Sequence, residues 1–222
     1  MKQKLALAVL ISGGGTTLKN LIDKISKGKL SAQIKVVISS RPDARGIDFA
    51  KEANIPTVVV NRKEFKSTKE FSEKVTEILR QYRPDLIVFG GFLCLYQFPS
   101  DFYGKIINIH PALLPSFGGK GMYGDHVHEA VLKSGVKVTG CTVHFVDEIY
   151  DHGPIIAQRV VPVLPDDTVE SLRNRVQSAE RELYPEVINW FAEGRVLLES
   201  DGKVIVKGRD ASITSIEERV KI

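Results

Sequence analysis

Short apolar runs alternate with amphipathic helical segments along the first half of the chain, and this alternation narrows the possible folds most strongly. The run at 5–11 is almost entirely apolar, which is typical of a strand covered on both faces. A glycine turn follows, and apolar residues then recur over 18–25 at the spacing of one helix face, with Thr16 or Thr17 as the predicted N-cap. Repetition of this strand–helix order predicts an α/β fold built on a largely parallel sheet.

The remaining segments complete one open sheet. Further strands are predicted at 34–38, 57–60, 85–91 and 105–110, and further helices at 46–53, 71–82 and 127–132. In the second half, 138–146 and 155–163 alternate like paired strands, a long helix covers 168–192, and 196–206 has the pattern of a hairpin. We expect a mostly parallel twisted sheet with helices on both faces and an antiparallel portion in the C-terminal half. No repeat or linker divides the chain, so residues 1–222 are predicted to form one domain.

The overall charge is too small to indicate a nucleic-acid partner. Lys and Arg total 31 against 27 Asp and Glu, and the formal net charge of +4 is compatible with an anionic small-molecule substrate. Cys94 and Cys141 lie in apolar runs without disulfide or zinc-site spacing, which suits a reducing compartment. His126 and His128 have no carboxylate or cysteine at ligand spacing, so no metal is expected. No apolar run reaches the ~18 residues of a membrane span, and we expect a cytoplasmic protein without a membrane partner.

The glycine turn at 13–15 is the first candidate binding site. It precedes a helix N-terminus, whose unpaired N–H groups bind anions, and its three glycines allow a phosphate to approach the main chain closely. Thr16 and Thr17 add hydroxyl donors. The segment is neither a P-loop nor a dinucleotide fingerprint, because no GK[ST] follows and the GxGxxG spacing is incomplete. On this motif alone, a phosphate site and a plain tight turn both remain open.

Asn108 and His110 form the second candidate site. Residues two apart on a strand point the same way, so the carboxamide and the imidazole share one space at the carboxyl end of a strand, where open α/β sheets bind ligands. An amide donor beside a titratable ring suits oxyanion stabilisation coupled to proton transfer. The Pro- and Gly-rich segment 111–121 that follows has the composition of an active-site loop.

The acidic turn at 147–154 is ambiguous by itself, because an acidic turn between two strands is usually a solvated hairpin tip. His144 alternates within the preceding strand, and we expect it to pack in the core rather than take part in chemistry. Ser12 lacks the GxSxG context of a serine hydrolase.

In their order along the chain, these segments resemble the phosphoribosylglycinamide formyltransferase family. The resemblance rests on ISGGGTTL, FGGFLCLY, NIHPALLPSF and TGCTVHFVDEIYDHGPIIAQ, and on the helix RVQSAERELYPEVINWF. It implies a formyltransferase-type Rossmann-like fold, with a phosphate-binding half at 1–100 and a folate-binding and catalytic half at 101–222. It also implies that the formyl group passes from the co-substrate 10-formyltetrahydrofolate to the amine of glycinamide ribonucleotide, in de novo purine biosynthesis. The amine attacks directly, through a tetrahedral intermediate.

The resemblance implies a catalytic trio of Asn108, His110 and Asp151. Asn108 and a protonated or hydrogen-bonding His110 are expected to stabilise the tetrahedral oxyanion. Asp151 is expected to hold His110 in its working protonation state, because a nearby carboxylate raises the pKa of an imidazole, and to help relay a proton from the attacking amine to the departing folate nitrogen.

The resemblance also implies which residues bind the two substrates. Those carried over for glycinamide ribonucleotide are Gly15, Thr16, Thr17, Gln177 and Glu180. Those carried over for the folate are Lys69, Leu93, Cys94, Leu95, Tyr96, Asn108, Asp147, Glu148, Ile149, Tyr150 and Asp151. The family often has a basic residue at the position of Cys94, so a charge contact made there is absent from this chain.

Other functions share parts of this pattern. Methionyl-tRNA formyltransferase needs a further RNA-binding domain, for which 222 residues leave no room. A formyltetrahydrofolate deformylase-like hydrolase uses water as its nucleophile and has no need of a nucleotide phosphate loop. A non-catalytic nucleotide-binding module needs the glycine turn but not the trio. The sequence leaves open whether the protein is a monomer or a homodimer.

Overall fold

The computed structural model describes residues 4–208, which form a seven-stranded sheet, flanking helices and a small hairpin. The strands of the sheet are β1 (Leu5–Ile11), β2 (Ala32–Ser39), β3 (Thr57–Val59), β4 (Leu86–Phe89), β5 (Ile106–His110), β6 (Val138–Phe145) and β7 (Ile155–Pro162). The helices are α1 (Thr16–Ser26), α2 (Gly46–Glu52), α3 (Thr68–Tyr82), α4 (Asp125–Ser134) and α5 (Val169–Ala192). The hairpin strands are β8 (Val196–Leu198) and β9 (Val204–Val206).

The strand order β3-β2-β1-β4-β5-β6-β7 confirms the predicted fold class. Strands β1 to β5 are parallel, whereas β6 and β7 are antiparallel to their neighbours. The chain leaves β1 toward β2 and β3 and then returns to β4 on the other side of β1. A reversal of this kind opens a crevice at the carboxyl ends of the two central strands, which is where such sheets bind ligands.

Two apolar layers cover the sheet, as the near-continuous apolar strands predict. In β1, Leu7, Val9 and Ile11 belong to the layer formed with α1, α2 and α5, and Ala8 and Leu10 face the layer formed with α3. All five side chains are completely buried. Helices therefore lie on both faces of the sheet.

The start of α1 differs from the prediction. The N-cap is Gly15, with φ +70° and no side-chain cap, rather than Thr16 or Thr17. A Cβ on Gly15 would overlap the Cα of Gly46 at the start of α2, so the close approach of the two helices requires glycine there. The two threonines consequently occupy the first turn of the helix, where the backbone N–H groups have no intrahelical partner.

The C-terminal region follows the prediction as far as the structure describes it. The predicted hairpin forms a separate two-stranded sheet of β8 and β9. Residues 209–222, which the one-domain prediction includes, lie outside the described part. Of the helices within 4–208, none is long and apolar enough to cross a membrane.

Candidate active site

Asn108 and His110 lie side by side at the carboxyl end of β5, on the face predicted for them. The antiparallel register with β6 places His144 opposite Asn108 and Thr142 opposite His110. His110 is 3% exposed and Asn108 is partly buried. The two side chains therefore begin a polar cluster in a region that is otherwise apolar.

Asp151 reaches both of these side chains, although it lies some forty residues further along the chain. Its Oδ2 is 3.4 Å from His110 Nδ1, and its Oδ1 accepts a hydrogen bond of 3.4 Å from Asn108 Nδ2. The carboxylate is 11% exposed. The structure thus brings together the three residues of the predicted trio.

A tight turn between β6 and β7 delivers Asp151 to this position. Asp151 itself has φ +55°, a backbone conformation uncommon for a residue with a side chain. A Cβ on Gly153 would overlap the carbonyl oxygen of Phe145, so only glycine allows the turn to fold back onto β6. The predicted acidic turn is therefore a constrained part of the site and not a free hairpin tip.

The loop after β5 holds the trio from the other side. The Phe117 carbonyl oxygen lies 2.8 Å from His110 Nε2, and the Gly119 N–H donates to Asp151 Oδ2 at 3.0 Å. Phe117 has φ +56°. A Cβ on Gly118 would overlap the end of the Leu114 side chain and press on the Cβ of Asp151, so glycine leaves room for both side chains.

The electrostatic balance at His110 differs from the expectation. Burial lowers the pKa of His110 below its ordinary value, and this effect exceeds the opposite influence of Asp151 and the Phe117 carbonyl. Because a carbonyl oxygen only accepts, the neutral ring carries its hydrogen on Nε2. Burial thus outweighs the rise in pKa that was expected from Asp151, and in the neutral tautomer Nδ1, which faces the carboxylate, carries no hydrogen.

Asp151 itself is ionised at neutral pH. Burial is the largest single influence and raises the pKa of its carboxyl group, but the nearby rings of His144 and His110 and the Gly119 N–H together lower it below its ordinary value. The Asp151 carboxylate therefore supplies the negative charge of the trio.

A cavity on the α1 and α5 side of the sheet gathers the side chains predicted to hold the ribonucleotide. Thr16 and Thr17 in the first turn of α1 line it together with Gln177 and Glu180 of α5. Its wall also includes Ile109, the residue between Asn108 and His110. The other lining residues are Asn20, Arg181 and Tyr184. Gly15 is not among the lining residues; it is the N-cap immediately before Thr16.

Helix α5 is tied to the sheet beneath this cavity. The Tyr184 hydroxyl lies 3.1 Å from the Phe89 carbonyl oxygen and 3.0 Å from that of Ile107, so a buried phenol links α5 to β4 and β5. One turn earlier, burial raises the pKa of the Glu180 carboxyl group to about 7, with a small opposite influence from Arg181. Glu180 is thus an acid that titrates near neutral pH at the wall of the cavity.

The segment after β4 lies near the acidic turn, as the folate assignments require. The Leu93 N–H donates to Ser12 Oγ at 2.9 Å, which anchors the segment at the end of β1. Tyr150 interacts with the Leu95 backbone and lies near Cys94, and its pKa is raised mainly by burial. Leu93 is 48% exposed, which leaves an apolar side chain open to a ligand.

The other residues of the turn are open or engaged in local contacts. Asp147 accepts hydrogen bonds from the Ile149 N–H and from His152 Nδ1, at 2.9 and 2.7 Å. Glu148, Ile149 and Tyr150 are exposed. They form a surface over which a flat ligand can lie.

Two of the residues assigned to the folate, Tyr96 and Lys69, do not line the surface formed by the segment after β4 and the acidic turn. Tyr96 is 1% exposed, and its hydroxyl lies 2.7 Å from that of Thr76 on α3, so its ring belongs to the core. We correct the assignment of its side chain as a pocket wall. Lys69 is strongly exposed at the start of α3, with its ammonium 4.0 Å from Glu73.

His144 is the site residue that sequence reasoning missed. Its Nε2 is 3.2 Å from Asn108 Nδ2 and 3.7 Å from Asp151 Oδ1, so it belongs to the polar cluster. His144 is 2% exposed, so the prediction that it packs in the core is confirmed. The prediction that it lies outside the site is wrong. Strand alternation gives the face of His144, but its position opposite Asn108 is known only from the strand pairing in the structure. Among residues 4–208, no group of three His, Cys, Asp or Glu side chains is placed to hold a metal ion.

Comparison with known proteins places this site in a family. The Formyl transferase family matches residues 5–188. Phosphoribosylglycinamide formyltransferase of Haemophilus influenzae is 40% identical over 208 residues, covering 90% of this chain and 96% of that protein. The chain belongs to the formyl transferase family.

Other relatives of this formyl transferase are larger. The human trifunctional purine biosynthetic protein adenosine-3 is 43% identical over 205 residues, which cover 91% of the chain but only 20% of the human protein. This chain therefore spans about a fifth of the length of that relative.

Solved formyl transferase structures have the same fold. Glycinamide ribonucleotide transformylase 1 from Symbiobacterium toebii superposes with a TM-score of 0.85 at 39% identity, covering 93% of this chain and 95% of that one. A formyltetrahydrofolate deformylase from Pseudomonas syringae superposes with a TM-score of 0.81 at 26% identity, covering 92% of this chain and 66% of that one. The fold is thus common to transferase and hydrolase, and the site must distinguish them.

Proposed function

We propose that this chain transfers the formyl group of 10-formyltetrahydrofolate to the amine of glycinamide ribonucleotide, as a step of de novo purine biosynthesis. The observation that carries the proposal is the reach of Asp151 to both His110 and Asn108, at 3.4 Å each, in a structure that also has a cavity lined by the first turn of α1. Family membership supports the reaction class, and the names of the similar bacterial proteins support the pair of substrates.

The cavity suits a phosphorylated ribose. The free N–H groups at the start of α1, with the Thr16 and Thr17 hydroxyls, offer donors to a phosphate. Across the cavity, Gln177 and Glu180 offer an amide and a carboxyl group to ribose hydroxyls or the substrate amine. A ribonucleotide seated in this way ends against Ile109, the residue between Asn108 and His110 in β5.

The folate is assigned to the surface between the segment after β4 and the acidic turn. Leu93 and Cys94 supply apolar contact there, and Tyr150 supplies an aromatic one. Lys69 stays a proposed partner for the anionic end of the folate, because it lies exposed on α3. A folate whose pterin lies on this surface brings its formyl-bearing nitrogen, which joins the pterin to the benzoyl ring, toward Asp151.

The trio then performs the transfer. As the amine nitrogen bonds to the formyl carbon, the carbonyl electron pair moves to oxygen, and an Asn108 N–H donates to that oxyanion. The unprotonated Nδ1 of His110 takes a proton from the attacking nitrogen, and the Asp151 carboxylate stabilises the imidazolium that forms. The bond from carbon to folate nitrogen then breaks, the carbonyl re-forms, and Nδ1 returns the proton to the departing nitrogen. One proton thus passes from amine to folate, leaving formylated ribonucleotide and tetrahydrofolate.

A deformylase-like hydrolase is the second candidate, favoured only by the shared fold. Hydrolysis has no use for the cavity lined by Thr16, Thr17 and Glu180. A non-catalytic nucleotide-binding module has no use for the trio. Both alternatives therefore leave part of the site without a purpose.

Steady-state assays with purified protein test the proposal. With both substrates present, we expect formylated ribonucleotide and tetrahydrofolate in equal amounts; with the folate alone, we expect negligible formate. Formate released at the same rate with and without the ribonucleotide would favour the hydrolase. Binding of the ribonucleotide without turnover would favour the binding module.

We further propose that residues 1–222 work as one cytoplasmic domain on these two small molecules, with 1–100 supplying the phosphate loop and 101–222 the trio. The free cysteines Cys94 and Cys141 are consistent with a reducing compartment. Monomer and homodimer both remain compatible with this function, and light scattering of the purified protein distinguishes them.

A further inference from the structure

His144 stands opposite Asn108 in the β5–β6 ladder and is almost completely buried. Residues directly opposite in antiparallel strands have their side chains on the same face and in contact. The pairing of β6 with β7 is irregular between Val143 and His144, so the strand is locally adjusted where this ring lies. The mechanism above assigns the ring no task.

The hydrogen bond on the far side of the ring determines its tautomer. His144 Nδ1 lies 2.7 Å from the Phe145 carbonyl oxygen, which can only accept. Nδ1 therefore carries hydrogen, and in the neutral ring Nε2 carries a lone pair. That lone pair faces Asn108 Nδ2 at 3.2 Å.

The Asn108 NH₂ group consequently lies between two acceptors. One of its hydrogens points to His144 Nε2 and the other to Asp151 Oδ1, at 3.2 and 3.4 Å. Reversing the amide would set its carbonyl oxygen against a nitrogen lone pair and a carboxylate, both of which repel it. Only one orientation of the carboxamide satisfies all three groups.

We propose that His144 is a positioning residue that holds the Asn108 carboxamide with its NH₂ group toward Asp151 and the reaction space. The N–H on the Asp151 side makes the longer contact and is the one that turns to the formyl oxygen in the transition state. Without the His144 acceptor, the amide can reverse and present its oxygen to the developing negative charge. The effect on turnover rests on the proposed function; the tautomer and the amide orientation do not.

Two substitutions separate the acceptor from the bulk of the ring. His144→Phe keeps an aromatic ring but removes the acceptor, and we expect kcat to fall about 10- to 100-fold with little change in either KM. His144→Gln offers a carbonyl oxygen to the same N–H, and we expect it to recover most of the lost kcat. Equal losses in the two variants, or a normal kcat in the Phe variant, would overturn the proposal.

A double-mutant cycle tests whether the effect passes through Asn108. In an Asn108→Ala background there is no amide to orient, so His144→Phe is expected to lower kcat no further. If His144→Phe lowered kcat by the same factor with and without Asn108→Ala, His144 would act by a route that does not involve Asn108.

Nitrogen-15 NMR of the unsubstituted protein tests the tautomer without any variant or turnover. We expect the neutral form of the His144 ring to carry its hydrogen on Nδ1 rather than on Nε2, and the Asn108 amide hydrogens to be protected from exchange. A hydrogen on Nε2 would reject the proposal even if the enzyme is active. The expected tautomer in a protein that forms no formylated product would reject the proposed function and leave the positioning intact.

Discussion

The main-chain carbonyl of Phe117 lies 2.8 Å from His110 Nε2, so the loop after β5 selects the tautomer of the ring seven residues before it. When the neutral ring carries its hydrogen on Nε2, the Nδ1 atom that faces Asp151 carries no hydrogen. The loop therefore prepares His110 to take a proton at the atom nearest the carboxylate. The positive φ of Phe117 indicates that the backbone is constrained to reach this arrangement.

This relationship predicts a large effect from one methyl group at Gly118. A Cβ there would overlap the end of the Leu114 side chain and press on the Cβ of Asp151, so Gly118→Ala forces one of these two side chains to shift. We expect kcat to fall about 10-fold or more, because small displacements of catalytic groups cost large factors in rate, while both KM values change little.

Ser116→Ala is the matched control for Gly118→Ala. Ser116 lies in the same loop, and its side chain is exposed. Its kcat should stay within about twofold of the unsubstituted enzyme. A Gly118→Ala variant that behaves like this control would show that the loop does not position the trio.

Gly15 offers a test of the phosphate site with a control on the same helix. Gly15 and Gly28 have nearly the same φ, +70° and +68°, but a Cβ on Gly15 would overlap Gly46, whereas a Cβ on Gly28 meets open space. We expect Gly15→Ala to raise the KM for the ribonucleotide about 10-fold or more and to leave folate binding unchanged.

Gly28→Ala should carry the same backbone strain without that change in KM. Steady-state kinetics with each substrate varied in turn measures the KM values of the two variants, and isothermal titration measures their folate binding. If Gly15→Ala weakens only the folate, the phosphate site has been assigned to the wrong end of the sheet.

The Glu180 carboxyl group predicts a pH dependence of stability. Burial raises its pKa from 4.5 to about 7, so the folded protein favours the protonated form. The stabilisation is present at low pH and is lost as the pH rises through about 7. The Glu180→Gln variant stays neutral and serves as the reference. Relative to that variant, the free energy of unfolding of the unsubstituted protein should fall by roughly 2 to 3 kcal/mol between pH 5 and pH 8.

Urea unfolding of the two proteins across that pH range measures the difference without ligands. The Gln variant should be the more stable at pH 8, and the gap should narrow at pH 5. A difference that does not change with pH would place the pKa of Glu180 near its ordinary value.

Much of this site could be predicted from local sequence patterns. Asn108 and His110 are two residues apart on a strand, so their common face follows from strand geometry alone. The glycine turn before α1 likewise indicates the N-terminus of a helix. Asp151 is different, because only the family resemblance connected its turn to a strand end forty residues earlier.

The predictions from sequence that were wrong concern residues whose surroundings are formed by distant segments of the chain. Gly15 replaces the threonines as N-cap because α2 packs against it, which α1 alone does not reveal. The pKa of His110 falls because burial, a property of the whole fold, exceeds the effect of one carboxylate. The hydroxyl that turns Tyr96 into the core belongs to Thr76 on α3, twenty residues away. His144 enters the site through strand pairing, and a period-two pattern gives the face of a residue but not its partner.

Single-turnover formyl transfer by Asp151→Asn tests the central claim most directly, namely that Asp151 drives transfer through His110 and Asn108. Asparagine keeps the shape but neither the negative charge nor the support for an imidazolium, so we expect the rate to fall about 100- to 1,000-fold, with both substrates bound normally. The exposed acid Asp101, changed to Asn, should leave the rate unaltered. A transfer rate near normal in Asp151→Asn would contradict the mechanism.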